Sequence, residues 1–301
     1  MCLDDVRLGG LYELVVHLAP NDRAALAVGQ FGHRVLLSID LRIVDASTCR
    51  YLAETLSETQ IQLCGQLLVR VEGANLTDRL PGRKGRLLFA YLCANRLRPA
   101  PRSELAEALW GERAATSPDK LLDPVVSRLR AALRADRLVG RTELRLVLPH
   151  DARVDTGSAL EAIHRAEGAV RRGDWAAAWG PARVALHVTN RTFFPGGDGA
   201  WVDETRSELD DVRLRAHECV AASGLGLGGA ELDSAKRSGR ALVKLAPHRE
   251  SGYRLLMETL AAEGNAAEAL DVYETLRLLM QDELGVAPSP VTRELHRRLL
   301  G

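Results

Sequence analysis

Apolar residues recur at helical intervals through most of this chain and at alternating intervals in short stretches near its middle. Between Arg83 and Asn95, Leu87, Leu88, Tyr91 and Leu92 share the three-and-four spacing of one helix face, and Pro99 and Pro101 stop the run. A second helix is predicted to begin with Ser103 as its cap. Glu104 and Glu107 stand in its first turns, where they complement the helix dipole, and Leu105, Ala108 and Leu109 face inward; Trp110-Gly111 ends it. A third helix carries Leu122, Val125, Val126, Leu129 and Leu133 on one side. Upstream, Ile61–Cys64 and Leu67–Val71 are short β-type runs separated by Gly65 and followed by Gly73. Downstream, Leu138, Gly140, Leu144, Leu146 and Leu148 alternate with polar residues as a hairpin does, and Pro149 closes the unit.

Strands, three helices and a hairpin within about 90 residues are enough for one small domain. That order is the order of a winged helix-turn-helix of the OmpR type. Residues 1–60 are harder to read: Leu11–Leu18 and Arg23–Val28 fit short helices, Val35–Ile43 an extended segment, and Ser47–Leu56 another helix. From Asp155 onward the pattern is helix after helix. Gly173-Asp174-Trp175-Ala176 and Gly264-Asn265-Ala266-Ala267 are similar junctions, and Gly228-Gly229-Ala230-Glu231 is a weaker copy 36 residues before Gly264. That interval is near the ~34-residue period of tetratricopeptide repeats. In the last copy, Tyr253, Leu256 and Leu260 form one stripe, and Ala266, Ala269, Leu270 and Tyr273 the stripe expected to pack on it. Helix pairs of this kind bury their stripes only by stacking, which produces arrays with grooves. The expected organisation is therefore mainly α: an N-terminal segment over 1–60, a winged helix domain with a small β-sheet and wing over 61–152, and a tetratricopeptide-like helical domain over 153–301.

Charge changes the picture. The chain of 301 residues is neutral overall, but residues 61–150 hold 16 Lys/Arg against 9 Asp/Glu, while residues 1–60 hold 5 against 8 and residues 151–301 hold 19 against 23. A basic middle between acidic flanks points to an anionic partner for the middle alone. Five scattered cysteines without a CxxC pair, and a start that lacks a secretory pattern, lead to the expectation of reduced thiols in a cytoplasm. No apolar run reaches the ~18 residues of a membrane span.

Longer stretches carry a resemblance. PGRKGRLLFAYLCANRLRPAPRSELAEALWG (Pro81–Gly111), followed by LLDPVVSRLRAAL (Leu121–Leu133), resembles the DNA-binding domain of SARP-type bacterial regulators. FFPGGDGAWVDETRSELDDVRLRA (Phe193–Ala216) and APHRESGYRLLMETLAAEGNAAEALDVYETLRLLMQDELGVAPSP (Ala246–Pro290) resemble the bacterial transcriptional activation domain of the same family. The resemblance covers residues 61–301. It implies an activator that binds promoter repeats on double-stranded DNA and recruits RNA polymerase; few phosphate contacts per monomer lead to the expectation of two copies, or a homodimer, on repeated half-sites. In OmpR-type factors the segment matching Trp110–Ser117 touches the polymerase, which carries over to Glu112 and Arg113; Trp110 itself is expected to anchor the core.

On the third helix, Leu122, Val126, Leu129 and Leu133 fall within one arc, and Lys120, Pro124, Ser127, Arg128, Ala131 and Arg134 on the opposite side. Small residues mixed with cations suit a helix entering a major groove ~12 Å wide. By position in the fold, Lys120 and Arg128 are expected on phosphate, Pro124 and Ser127 nearest the bases, and Arg130 flanking them. Arg141, at the Gly140–Glu143 tip, is the candidate wing contact, with Glu143 turned away. At the start of the first helix, Arg83, Lys84 and Arg86 are further phosphate candidates. Ser117-Pro118 and Asp123-Pro124 both read as a cap followed by a first-turn proline, so the third helix starts at Pro118 or at Pro124. OmpR-type recognition helices carry a β-branched residue where Pro124 stands.

The remaining constellations carry no catalysis. Gly224–Gly229 lacks the strand and the Lys-Ser/Thr of a phosphate loop and reads as a flexible helix connection. His217-Glu218-Cys219 would fan around a helix rather than converge on a metal, and there is no spaced Cys/His set or nucleophile elbow. Phe193–Gly197 and Trp201 read as core aromatics between helix pairs, or else as a groove lining. No enzyme, metal or cofactor is expected. The reading from a different class is a helical-repeat scaffold whose winged helix docks a protein partner.

Overall fold

The computed structural model describes residues 59–111, 118–134 and 136–301, together with the backbone of three strands in the first forty residues. Those strands are β1 (Tyr12–Leu18), β2 (Ala24–Gln30) and β3 (His33–Leu37), an antiparallel meander in which Val15 pairs with Ala27 and Val28 with Val35. The sequence reading expected short helices at 11–18 and 23–28. Seven-residue pieces are too short to hold a helix alone, and neighbouring strands supply the missing hydrogen bonds. The extended segment expected from Val35 matches the end of β3; the helix expected at Ser47–Leu56 lies outside the described residues.

The chain divides into two compact units, residues 1–61, 68–79 and 148–153, and residues 62–67, 80–147 and 154–301. In the first, β4 (Gln60–Gln62) and β5 (Leu68–Val71) stand where the β-type runs were expected. They join β6 (Ala74–Asn75) and β10 (Arg153–Val154) in the order β10-β4-β5-β6. Val71 pairs with Ala74 across a two-residue turn in which Glu72 and Gly73 both have positive φ, 49° and 77°. This is the geometry that matches the twist of a tight hairpin. Ile61, Val69, Val71 and Leu76 are its buried side chains.

The second unit holds a winged helix and a helical array. Helices α1 (Gly82–Ala94), α2 (Arg102–Trp110) and α3 (Pro118–Leu133) pack on one another and on a sheet of order β7-β9-β8, formed by Ala100–Pro101, Glu143–Leu146 and Leu138–Val139. Leu87, Leu88, Leu105, Leu109, Leu122, Val126, Leu129, Leu133, Leu138, Leu144 and Leu146 are all buried, in agreement with the periodicity. Ser103 does not cap α2: the helix begins one residue earlier, after Pro101, and Ser103 is exposed. The Arg102 N–H instead donates to the Thr142 carbonyl of the hairpin at 3.2 Å, so sheet pairing sets the start. Ala106, rather than Ala108, completes the buried face.

Between the two possible starts of α3, the structure has Pro118, with Pro124 inside an unbroken helix. A proline has no N–H to give the carbonyl four residues back, here that of Lys120. Lys120 and Pro124 are both exposed, so water can serve that carbonyl.

Seven helices follow: α4 (Asp155–Arg171), α5 (Trp175–Thr189), α6 (Ala200–Leu227), α7 (Leu232–Leu245), α8 (Glu250–Ala262), α9 (Ala266–Leu284) and α10 (Pro290–Leu300). Each packs on the next, and α4 also on α6, and α6 on α8, which is the stacking the repeated junctions predicted. The Gly173-Asp174 junction works through a positive φ of 70° at Gly173 and an Asp174 carboxylate that accepts the Ala177 N–H at 3.1 Å. In the last pair the packed stripe of α9 is Ala269, Tyr273, Leu276 and Met280; Ala266, expected there, is exposed in the first turn. Gly224–Gly229 is not simply a flexible connection. Gly224–Leu227 form the last turn of α6, and a Cβ on Gly226 would lie 2.5 Å from the Trp175 ring. Gly228 and Gly229, both at positive φ, open the link to the next helix, which a 3-10 turn over Gly229–Glu231 completes. Among the described residues, no helix is long and apolar enough to cross a membrane.

Candidate nucleic-acid interface

The inner side of α3 is sealed, with Leu122, Val126, Leu129 and Leu133 each at most 3% exposed. Its outer row, Lys120, Pro124, Ser127, Arg128, Ala131 and Arg134, is exposed throughout. The Arg128 Nε donates to the Pro124 carbonyl at 3.0 Å, a local contact that lays the side chain along the outer face. Arg134 follows the helix with a positive φ of 75°, a left-handed stop. Arg141 is exposed at the hairpin tip, between Gly140 and Thr142. Glu143, expected to turn away, begins β9 and is exposed.

Arg130 is placed differently from its neighbours. Its guanidinium turns onto the hairpin, with Nε donating to the Leu138 carbonyl at 3.2 Å and a terminal nitrogen to the Gly140 carbonyl. It joins α3 to the wing instead of standing free to flank bases. Arg83 and Lys84 are likewise engaged by the protein's own groups, Arg83 at the surface. Arg83 pairs with Asp198 at 2.9 Å and donates to the Gly196 carbonyl; Lys84 donates to the Leu109 carbonyl and lies over the Trp110 ring at 5.7 Å. Leu109 is at the C-terminal end of α2, whereas the wing meets its N-terminal end, roughly 12 Å away for nine residues. Of the three phosphate candidates on α1, Arg83 and Arg86 are exposed and Lys84 is half-buried.

One residue that composition did not single out organises this face. Arg102, in the first turn of α2, donates from Nε to Asp119 and from a terminal nitrogen to Asp123, both on α3, and from its other terminal nitrogen to the Arg141 carbonyl of the wing at 3.4 Å. Its side chain is 18% exposed, those of Asp119 and Asp123 70% and 69%. Burial works against its charge, yet the hydrogen bonds to both aspartates carry its pKa above the ordinary guanidinium value. No periodicity signals this contact, because its partners are 17 and 21 residues away.

The activation-type array begins against this body. The Asp155 carboxylate, at the start of α4, accepts the Leu63 and Cys64 N–H groups, both at 2.9 Å. Burial raises its pKa, against those hydrogen bonds. Cys64 bridges to Phe193, and the Phe194 N–H donates to the Leu63 carbonyl.

Against known families, residues 154–300 match the bacterial transcriptional activator domain. The regulatory protein AfsR of Streptomyces coelicolor is 34% identical over 217 residues, 71% of this chain and 22% of AfsR. The transcriptional regulatory protein MoaR1 of Mycobacterium tuberculosis is 24% identical over 258 residues, 82% of this chain and 81% of MoaR1. The chain thus carries a bacterial transcriptional activator domain and is homologous to SARP-type transcriptional regulators. It spans about a fifth of the length of AfsR. A solved structure of Mycobacterium tuberculosis EmbR, in complex with a low affinity phosphopeptide, has the same fold, with a TM-score of 0.68 over 81% of this chain and 65% of that one at 22% identity.

In this chain, aromatic side chains join the winged helix to the activator domain. Trp201 on α6 lies against Tyr91 of α1 at 4.8 Å between ring centroids and edge-on to Phe193 at 5.7 Å. Arg206, one turn further along, donates to the Phe193, Phe194 and Gly197 carbonyls and holds that loop on α6. Phe193 and Phe194 are buried, so they are core, as expected, but between the two domains as well as between helix pairs. The Tyr91 hydroxyl donates to Glu104, which Arg98 also binds; burial and then Glu104 raise the Tyr91 pKa to about 12. Trp110, expected as a core anchor, is half-buried beneath Lys84. The loop from 112 to 117, the candidate polymerase contact, lies outside the described residues.

Proposed function

We propose that this chain is a sequence-specific DNA-binding activator, which lays α3 in the major groove of promoter repeats and contacts RNA polymerase through the loop from Trp110 to Ser117. One observation carries the reading: the row Lys120, Pro124, Ser127, Arg128, Ala131, Arg134 is open along the whole of α3 while every apolar residue opposite it is sealed. Lys120, Arg128, Arg134 and Arg141 supply phosphate contacts, Pro124 and Ser127 the close approach to bases, and Arg86 a flanking cation. Arg83, Lys84 and Arg130 act within the protein. Four or five free cations per copy are fewer than the ~6–10 phosphate contacts of large complexes, so specific binding takes two copies on repeated half-sites and weakens steeply with salt. AfsR, MoaR1 and EmbR are named as regulators, which supports the reading.

The test is duplex binding by the intact chain at low salt, first to random sequence and then to duplexes selected from a random pool. The double variant K120A/R128A is expected to lose about ten- to a hundred-fold in affinity for all sequences with an unchanged melting temperature, since both side chains are exposed. A chain that binds no duplex would favour the protein-docking scaffold instead.

A further inference from the structure

The contacts around Arg102 extend this reading and rest on it. Asp119 and Asp123 stand one turn apart on α3, each next in sequence to a residue of the open row, Lys120 or Pro124. Both carboxylates are about 70% exposed, so they share the space that a phosphate backbone would enter. Two such charges on a groove-binding helix oppose DNA, because like charges brought together cost several kcal/mol at an interface. Each is hydrogen-bonded by the same guanidinium, and that guanidinium is sunk beneath them at the start of α2. The third contact of Arg102, on the Arg141 carbonyl, reaches the wing. Its main-chain N–H is bound to the Thr142 carbonyl beside it.

We infer that Arg102 is a positioning residue for DNA recognition: it binds Asp119 and Asp123 on the recognition helix, offsets one of their two negative charges, and pins the wing tip beside them, without touching the duplex itself. The two aspartates in turn hold Arg102 in place, so α2, α3 and the wing form one pre-set reading head. Arg130, bound to the Leu138 and Gly140 carbonyls, ties α3 to the same hairpin.

The experiment uses the full chain, a random-sequence duplex and a duplex selected from a random pool, with affinity measured across a salt series. R102A is expected to weaken binding about ten-fold or more. The triple variant R102A/D119N/D123N is expected to return to within about three-fold of the parent, because the charges that Arg102 restrained are gone. D119N/D123N alone removes both negative charges but keeps amide oxygens that can accept from Arg102, and it binds as well as the parent or better; this variant keeps the test open should R102A not fold. If Arg102 itself held a phosphate, the triple variant would stay weak and the salt slope would fall by about one, which overturns the inference. If Asp119 or Asp123 accepted a hydrogen bond from a cytosine amino group, D119N/D123N would lose affinity for the selected duplex, which also overturns it. An intact chain that binds neither duplex sinks the DNA-binding reading as a whole; duplex binding without rescue in the triple variant sinks the role of Arg102 alone.

Discussion

His217 shows how position overrides composition at the scale of one residue. It lies in α6, 8% exposed, and its Nδ1 is buried without a hydrogen-bond partner. Burial, and then the Arg213 charge, push its pKa down to about 4 from the ordinary 6.5. The unfolded chain therefore takes up a proton at a higher pH than the folded one, and stability falls as pH drops from about 6.5 to about 4. Denaturant melts across that window should show the fall in the parent chain and a flatter profile in H217Q. The same distinction separates the arginines of α3. Arg128 and Arg130 are equivalent to a count of charge, but two helical steps turn one outward along the groove face and the other onto wing carbonyls. Sequence spacing located the face; only the folded hairpin showed which cation closes it.

Among the elements, α3 carries the clearest conflict between propensity and fold. An interior proline costs about 3 kcal/mol relative to alanine in a helix, yet α3 runs through Pro124 because its buried side, from Leu122 to Leu133, holds the helix against α1 and α2. P124A should raise stability by about 1–2 kcal/mol, part of the helix gain being offset by a freer unfolded chain. Chemical denaturation measures that change. Selection from a random duplex pool should return an altered base preference at the half-site centre, where the proline ring faces out. The strands β1 and β2 are the elements that periodicity misread. Leu14, Val15 and Leu18 also fit a helical spacing, and in seven-residue segments the two periods cannot be told apart. Pairing between neighbours decided it. Ser103 failed as a cap for the same reason, since the Arg102 N–H had a partner in the hairpin 40 residues away.

For the molecule as a whole, residues 80–147 and 154–301 fall into one compact unit, with Trp201 between Tyr91 and Phe193. Truncating it to alanine removes a half-buried indole from that junction, and W201A should lose about 2 kcal/mol. Calorimetry is expected to show one cooperative transition for this unit in the parent chain and separate transitions for winged helix and array in W201A. A single unchanged transition in W201A would mean that the strand-like contacts of Cys64 and Leu63 with the Phe193–Phe194 loop hold the junction without the indole.

What the residues determined by themselves is whatever rests on local spacing: the helices of the winged body, their buried faces, the repeated junctions of the array and the outward row of α3. Periodicity sorts side chains into inside and outside because burial of apolar surface is set by position along one element. Tertiary structure alone decided the partners of the charged groups: Arg102 on Asp119 and Asp123, Arg130 on the wing, Arg83 and Lys84 on the activator domain and α2. Hydrogen bonds and ion pairs act over a few ångströms between residues distant in sequence, so no pattern along the chain announces which cations remain free for a phosphate.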